Sequence, residues 1–193
     1  MKRILFVCTG NTCRSPMAEA LLRQRAAAAG LDLDVRSAGV STLDGLPISS
    51  HAAAVLGERG IAREGASRAL ALEAIGWADL ILTMTASHKR HLLERYPGAL
   101  DKVYTLKEYV EQDGAVLADI AELERLYTEL HMKQALGGQL SDAERARLIE
   151  LERRIPSFDV GDPFGGSLAE YRRTADELEL ALDKLLRKLR DGD

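Results

Sequence analysis

The chain has 193 residues, of which 46% are hydrophobic, and a formal net charge of −4. This length and apolar content suit one globular domain with a sizeable core. The negative charge argues against nucleic-acid and membrane-surface partners, which select basic proteins. No apolar run approaches the ~18 residues of a membrane span. Since the only cysteines are Cys8 and Cys13, we expect a reducing compartment and therefore the cytoplasm. We also expect a monomer.

Strands and helices alternate along the chain. Apolar runs predict strands at 3–8, 33–37, 79–84 and 102–105, and periodic patterns predict helices at 15–29, 50–59, 71–76, 86–95 and 168–190. Such alternation is typical of an α/β fold with a doubly wound four-stranded parallel sheet flanked by helices. The last helix has the clearest pattern, because Ser167 and Glu170 form a capping box before an apolar face.

The first strand leads into a loop that reads CTGNTCRSP, with Cys8 at its start and Arg14 near its end. Gly10 and Asn11 tolerate a curled backbone, which would turn the N–H groups of residues 9–14 toward one anion. The next helix points its N-terminus at the same place, and Arg14 can grip two phosphate oxygens. The spacing from Cys8 to Arg14 is a weak signal alone, but this context predicts a phosphate cradle around a thiolate. A buried structural cysteine is the alternative.

A second chemical group stands near the C-terminus. Pro163 favours an extended backbone at Asp162, and the glycines at 165 and 166 let the chain bend before the last helix. A carboxyl group there could donate a proton to a leaving group and later take one from water. The Asp162-Pro163 dipeptide by itself is more typical of an ordinary turn than of a catalytic acid. Asp159 lacks the proline, and we interpret it as structural.

These segments resemble the low-molecular-weight protein-tyrosine phosphatase family, which has this Cys, Gly, Asn, Cys, Arg, Ser, Pro loop next to its N-terminus. Segments 36–40 (RSAGV), 78–85 (ADLILTMT) and 162–166 (DPFGG) also occur in the family's order. The resemblance implies the low-molecular-weight phosphatase fold and a hydrolase that forms a phosphocysteine at Cys8, with Asp162 as general acid and base. It implies no metal and no cofactor.

The resemblance also implies roles for the other loop residues. Asn11 would adopt a left-handed conformation, Ser15 would donate its hydroxyl to Cys8, and Cys13 would pair with Cys8 under oxidation; a small packed residue is the alternative for Cys13. The expected catalytic residues are Cys8, Arg14 and Asp162. The expected phosphate- and substrate-binding residues are Thr9, Gly10, Asn11, Thr12, Cys13, Ser15 and Phe164.

The substrate prediction depends on Thr12 and Phe164. In the tyrosine-phosphatase branch a larger apolar residue stands at the position of Thr12, whereas CTGNTCRS and DPFGGS resemble the bacterial protein-arginine phosphatase branch. A phosphoguanidinium group is planar and polar, so Asp162 could accept from its edge while Phe164 stacks on its face. We therefore expect phosphoarginine in proteins as the substrate, with phosphotyrosine as the alternative.

Two other classes fit less well. Arsenate reductases share this loop but need a further cysteine pair, and no cysteine follows Cys13. A non-enzymatic phosphate-binding protein would not need Cys8, Arg14 and Asp162 together.

Residues 111–157 fall outside the resemblance. They predict a helical-hairpin insertion within a single phosphatase domain over 1–193, with helices at 115–136 and 142–154. The four histidines, His51, His88, His91 and His131, lack metal-ligand spacing. His88 and His91 stand beside Lys89 and Arg90, which predicts a solvated helix face.

Overall fold

The computed structural model describes residues 1–62 and 65–192. The chain forms two compact units, Met1–Val110 with Phe158–Asp193, and Glu111–Ser157. That residues 1–193 make one phosphatase domain stays a prediction, and residue 193 lies outside the described residues. Within the described ranges, no helix has the length and apolarity needed to cross a membrane.

The first unit is built on a four-stranded parallel sheet. Its strands are β1 (Lys2–Cys8), β2 (Leu33–Gly39), β3 (Leu80–Thr83) and β4 (Val103–Thr105), in the order β2-β1-β3-β4. The predicted sheet is therefore confirmed. Because β1 lies inside the sheet and ends at Cys8, the loop after it opens at the carboxyl edge, where open α/β sheets bind ligands.

Helices cover both faces of this sheet. They are α1 (Arg14–Ala28), α2 (Ser50–Glu58), α3 (Leu72–Trp77), α4 (Ala86–Arg95), α5 (Leu106–Tyr109) and α8 (Leu168–Asp191), with a 3₁₀ turn at Pro97–Lys102. The predicted helices appear within two residues of their expected ends. Helix α5 was not predicted because four residues are too few to show a period, although Thr105 and Glu108 form a capping box that marks its start.

Successive side chains of β1 point to opposite faces of the sheet, so the core forms two clusters, one on each face. Ile4, Phe6 and Cys8 pack in one buried cluster with side chains from α1, α2 and α8. Leu5 and Val7 pack in the other, with side chains from α3 and α4. Neighbouring side chains on a strand point to opposite faces, so an almost unbroken apolar run is what a strand covered on both sides requires.

The second unit is the helical hairpin. It contains α6 (Gly114–Ala135) and α7 (Asp142–Arg154), and Ser141 and Glu144 form the predicted capping box at the start of α7. Leu126, Leu140 and Leu151 are its buried apolar residues. The two helices are also joined by ion pairs, Arg147 with Glu122 at 2.6 Å and Arg154 with Asp119 at 2.9 Å.

Candidate active site

The thiol of Cys8 is buried at the end of β1 and has two polar neighbours. The backbone N–H of Asn11 donates to Cys8 Sγ at 3.3 Å, and Ser15 Oγ lies 3.0 Å from the same sulfur. Asn11 has a φ of 55°, the left-handed conformation expected for it. This turn brings the N–H of residue 11 back over the sulfur.

The side chain of Asn11 orients the Ser15 hydroxyl. Asn11 Oδ1 accepts from the backbone N–H of Arg68 at 2.8 Å, and since that N–H can only donate, it fixes which end of the amide is oxygen. Nδ2 must then donate, to Ser15 Oγ and to Ser37 Oγ, both at 2.8 Å. Because Ser15 accepts there, its own hydrogen is left for Cys8.

Arg14 connects the loop to the segment that carries Asp162. Its guanidinium is buried; Nη1 donates to the carbonyl of Val160 at 3.2 Å, and Nη2 lies 3.2 Å from Asp162 Oδ2. The N–H of Val160 donates to the carbonyl of Met84, the residue after β3. The segment around Asp162, here called the acid loop, is therefore fixed to the same edge of the sheet as residues 8–14, the phosphate loop. The Asp162 side chain is 55% exposed.

These groups surround one cavity of about 230 Å³. It is lined by Cys8, Thr9, Gly10, Thr12, Cys13, Arg14, Asp162 and Phe164. Asn11 and Ser15 lie behind this lining and are buried, so their effect on the cavity is through Cys8 and the loop backbone. A larger cleft of about 530 Å³, lined by Arg36 and Arg68 among others, contains neither cysteine, so size alone does not identify the site.

Cys13 occupies the position before α1. Both cysteines are free thiols, and Cys13 Sγ lies 3.1 Å from the hydroxyl of Tyr171 on α8. Burial, and then the contact with Cys13, raise the pKa of Tyr171. The pairing of Cys8 with Cys13 under oxidation stays a prediction.

His88 corrects one prediction. Residues 88 and 91 were expected on a solvated face, and His91 is exposed, but His88 is buried with Nε2 2.7 Å from Thr9 Oγ1. The prediction was wrong because His88 belongs to the first turn of α4, which follows β3 at the same sheet edge as the phosphate loop. Burial, and then the charge of Arg14, lower the pKa of His88 to about 4.

The order of elements could have indicated this contact, since a polar residue in the first turn after a buried strand lies close to the loops at that edge. Within residues 1–62 and 65–192, no three His, Cys, Asp or Glu side chains are grouped so as to hold a metal ion.

A buried thiol, an arginine at a helix start and a half-exposed carboxyl around one cavity are the groups of a cysteine-dependent phosphatase. The chain belongs to the family described as low molecular weight phosphotyrosine protein phosphatase, whose sequence model matches residues 3–130.

Three relatives are similar over nearly the whole chain. A protein-arginine-phosphatase of Geobacillus stearothermophilus is 38% identical, over 97% of this chain and 95% of its own. The low molecular weight protein-tyrosine-phosphatase PtpB of Staphylococcus haemolyticus is 30% identical, over 95% and 96%. A solved YwlE arginine phosphatase, a cysteine-to-serine mutant whose active-site serine is phosphorylated, is 36% identical, with a TM-score of 0.73 over 98% of this chain and 97% of its own.

Proposed function

We propose that this protein hydrolyses phosphoarginine in proteins through a phosphocysteine at Cys8. Arg14 binds the phosphoryl group, and Asp162 is the general acid and base. The observation that carries the proposal is the 230 Å³ cavity, in which the thiol, guanidinium and carboxyl line one space with Thr12 and Phe164. The reaction needs no metal and no cofactor.

In the first step, the Cys8 thiolate attacks phosphorus and the bond from phosphorus to the guanidinium nitrogen breaks. Asp162 gives its proton to that nitrogen, so arginine leaves directly as its guanidinium cation and Asp162 becomes a carboxylate. The guanidinium of Arg14 and the loop N–H groups hold the charge on the three equatorial oxygens.

In the second step, Asp162, now a carboxylate, takes a proton from water as the water oxygen attacks phosphorus. The bond between sulfur and phosphorus breaks, releasing phosphate and the Cys8 thiolate. The hydroxyl of Ser15, 3.0 Å from Cys8 Sγ, stabilises the thiolate as it leaves.

Two observations support phosphoarginine as the substrate. One is the presence of Thr12 and Phe164 in the cavity lining, and the other is the 38% identity to the protein-arginine-phosphatase of Geobacillus stearothermophilus. Thr12 is smaller than Ile and bears a hydroxyl, which leaves room for a planar polar group and offers less apolar contact to a phenol ring. Phe164 is 79% exposed and has a free face for stacking. The difference between threonine and isoleucine at position 12 is worth about 1 to 3 kcal/mol of discrimination between substrates. We therefore expect a preference for phosphoarginine rather than exclusion of phosphotyrosine.

Phosphotyrosine is the second candidate. It is favoured by the tyrosine-phosphatase relative and by Phe164, whose ring can also stack on a phenol.

The deciding experiment compares kcat/KM for a phosphoarginine peptide and a matched phosphotyrosine peptide, with Cys8→Ser as the blank. We expect a ratio well above one that falls by about tenfold or more in Thr12→Ile. Thr12→Val is the matched control, because it removes the hydroxyl and keeps the size. A ratio below one in the wild type would make the protein a tyrosine phosphatase.

We also propose that the protein works in the cytoplasm as a monomer on phosphorylated proteins, without nucleic-acid or membrane partners. A reducing compartment keeps Cys8 reduced, which the reaction needs. Light scattering of the purified protein tests the monomer.

A further inference from the structure

His88 contacts the phosphate loop at Thr9, the residue after Cys8. The imidazole is buried, and its Nε2 lies 2.7 Å from Thr9 Oγ1. The other ring nitrogen, Nδ1, is also buried, and it has no hydrogen-bond partner among the described residues. A buried polar atom without a partner costs stability, so this arrangement requires an explanation.

The unpaired nitrogen identifies the tautomer. A neutral imidazole carries a single N–H group, which acts as donor, while its other nitrogen acts as acceptor. With the hydrogen on Nδ1, a buried N–H group would be unpaired, which proteins rarely tolerate. With the hydrogen on Nε2, the N–H donates to Thr9 Oγ1, and only a lone pair on Nδ1 is left without a partner. His88 is therefore the Nε2–H tautomer.

The surroundings keep this ring neutral. Burial and the positive charge of Arg14 lower the pKa of His88 to about 4, and His91 on the same helix acts in the same direction. Asp162 and Asp159 on the acid loop oppose this shift but are outweighed. A second proton would also make Nδ1 a buried donor without a partner, so the contact with Thr9 persists across the neutral pH range.

The hydroxyl of Thr9 then has its own hydrogen to donate. Thr9 is exposed, and it lines the cavity that contains Cys8. Its backbone carbonyl is held separately by the N–H of Ser41 at 3.0 Å. Because Oγ1 already accepts from His88, its remaining hydrogen can reach an acceptor in the cavity, and a bound phosphoryl group supplies one.

We propose that His88 is a positioning residue that acts through Thr9, fixing the Thr9 hydroxyl so that it donates a hydrogen bond to a phosphoryl oxygen of the substrate. This role rests on the proposed phosphatase function, but it does not depend on which phosphorylated residue is the substrate. The bond forms both with bound substrate and in the transition state, so it lowers KM more than it raises kcat.

The test measures the inhibition constant of inorganic phosphate, and kcat and KM for p-nitrophenyl phosphate, in single variants and one double variant. Thr9→Val removes the hydroxyl at constant size, and Thr9→Ser keeps it. His88→Leu removes the donor, and His88→Gln retains an amide donor at the end of the side chain. His91→Gln is the control, since it changes an exposed histidine on the same helix.

We expect Thr9→Val and His88→Leu each to raise the phosphate inhibition constant and KM about tenfold, with kcat changed less than about threefold. Thr9→Ser should resemble the wild type, and His88→Gln should recover part of the loss. The double variant of Thr9→Val and His88→Leu should have a phosphate inhibition constant no higher than that of either single variant, because the two residues act as one unit.

Additive losses in the double variant, or an unchanged inhibition constant in His88→Leu, would overturn the proposal. If His88→Leu fails to fold, equal constants for Thr9→Val and Thr9→Ser overturn it, since position 9 is exposed and tolerates both. If the wild type binds phosphate but turns over neither p-nitrophenyl phosphate nor phosphopeptides, that result would contradict the proposed function alone. The comparison of inhibition constants would still decide the role of His88.

Discussion

Arg14 Nη2 and Asp162 Oδ2 lie 3.2 Å apart, although 147 residues separate them in the chain. The proposed phosphate-binding cation and the proposed proton donor therefore contact each other directly. A phosphoryl group that enters the cavity competes with Asp162 for the same guanidinium. The proposed acid is thus already beside the reacting group when the anion binds.

Asp162→Asn should lower kcat for a phosphoarginine peptide by about 100- to 10,000-fold, because an amide cannot donate the required proton. The phosphate inhibition constant should not rise, since the variant removes a negative charge that competes for Arg14. Steady-state kinetics and phosphate inhibition measure both effects.

The control is Asp159→Asn. Asp159 Oδ1 accepts from the N–H of Ala86 at the start of α4, so this change should affect stability rather than kcat. Equal kcat losses in the two variants would count against Asp162 as the acid.

Ser15→Ala should slow the second step about 10- to 100-fold, because the departing Cys8 thiolate loses a charge-assisted hydrogen bond. Phosphocysteine should accumulate, and rapid mixing with p-nitrophenyl phosphate should show a burst of nitrophenol. Ser50→Ala, at an exposed position on α2, is the matched control. A slow first turnover without a burst would show that Ser15 acts earlier in the reaction.

Gly39→Ala should damage the phosphate loop although position 39 lies outside it. A Cβ atom there would be 2.6 Å from the carbonyl oxygen of Thr9 and 2.8 Å from Thr42 Cγ2. We expect a loss of about 1 to 3 kcal/mol in the free energy of unfolding and a fall in kcat/KM. Urea denaturation and kinetics test this. Gly57→Ala is the control, because its Cβ would meet no atom within 4 Å and helix α2 should gain stability.

His88 should make the fold less stable in acid. Its pKa is about 4 in the folded protein against about 6.5 in the unfolded chain, so below pH 6.5 the unfolded chain binds the extra proton. The free energy of unfolding should therefore decrease between about pH 6.5 and 4, by up to about 3 kcal/mol. Above pH 6.5 this contribution is absent.

Urea midpoints at pH 7.5, 6 and 5 check this pH dependence. His88→Gln should weaken it, and His91→Gln should leave it intact. Identical pH dependence in His88→Gln and the wild type would contradict the assignment.

Peroxide should inactivate the enzyme reversibly. We expect hydrogen peroxide to oxidise Cys8 to a sulfenic acid, from which Cys13 Sγ would displace water to form a disulfide. Forming that bond breaks the contact between Cys13 and Tyr171. Activity should return with a thiol reductant in the wild type and return incompletely in Cys13→Ser, where oxidation continues to the sulfinic acid. Equal recovery in both would refute a protective disulfide.

The sequence alone determined the features that are local in the chain. The strand, the loop with its glycine and left-handed Asn11, and the helix after Arg14 are encoded within residues 2–28, so their pattern can be read directly. The sheet follows from four apolar runs alternating with periodic segments. Asp162 was identified through family resemblance, because an Asp-Pro dipeptide also begins ordinary turns.

Only the tertiary structure decided which distant residues support the loop. Arg68 orients the amide of Asn11, Val160 accepts from Arg14, and His88 contacts Thr9 from 79 residues away. These contacts depend on the pairing of β1 with β2 and β3, which sets which loops meet at the carboxyl edge. Local patterns determine each helix and strand, but the register between strands determines which elements are neighbours. A polar residue in the first turn of a helix has the same local pattern whether it faces water or a phosphate loop.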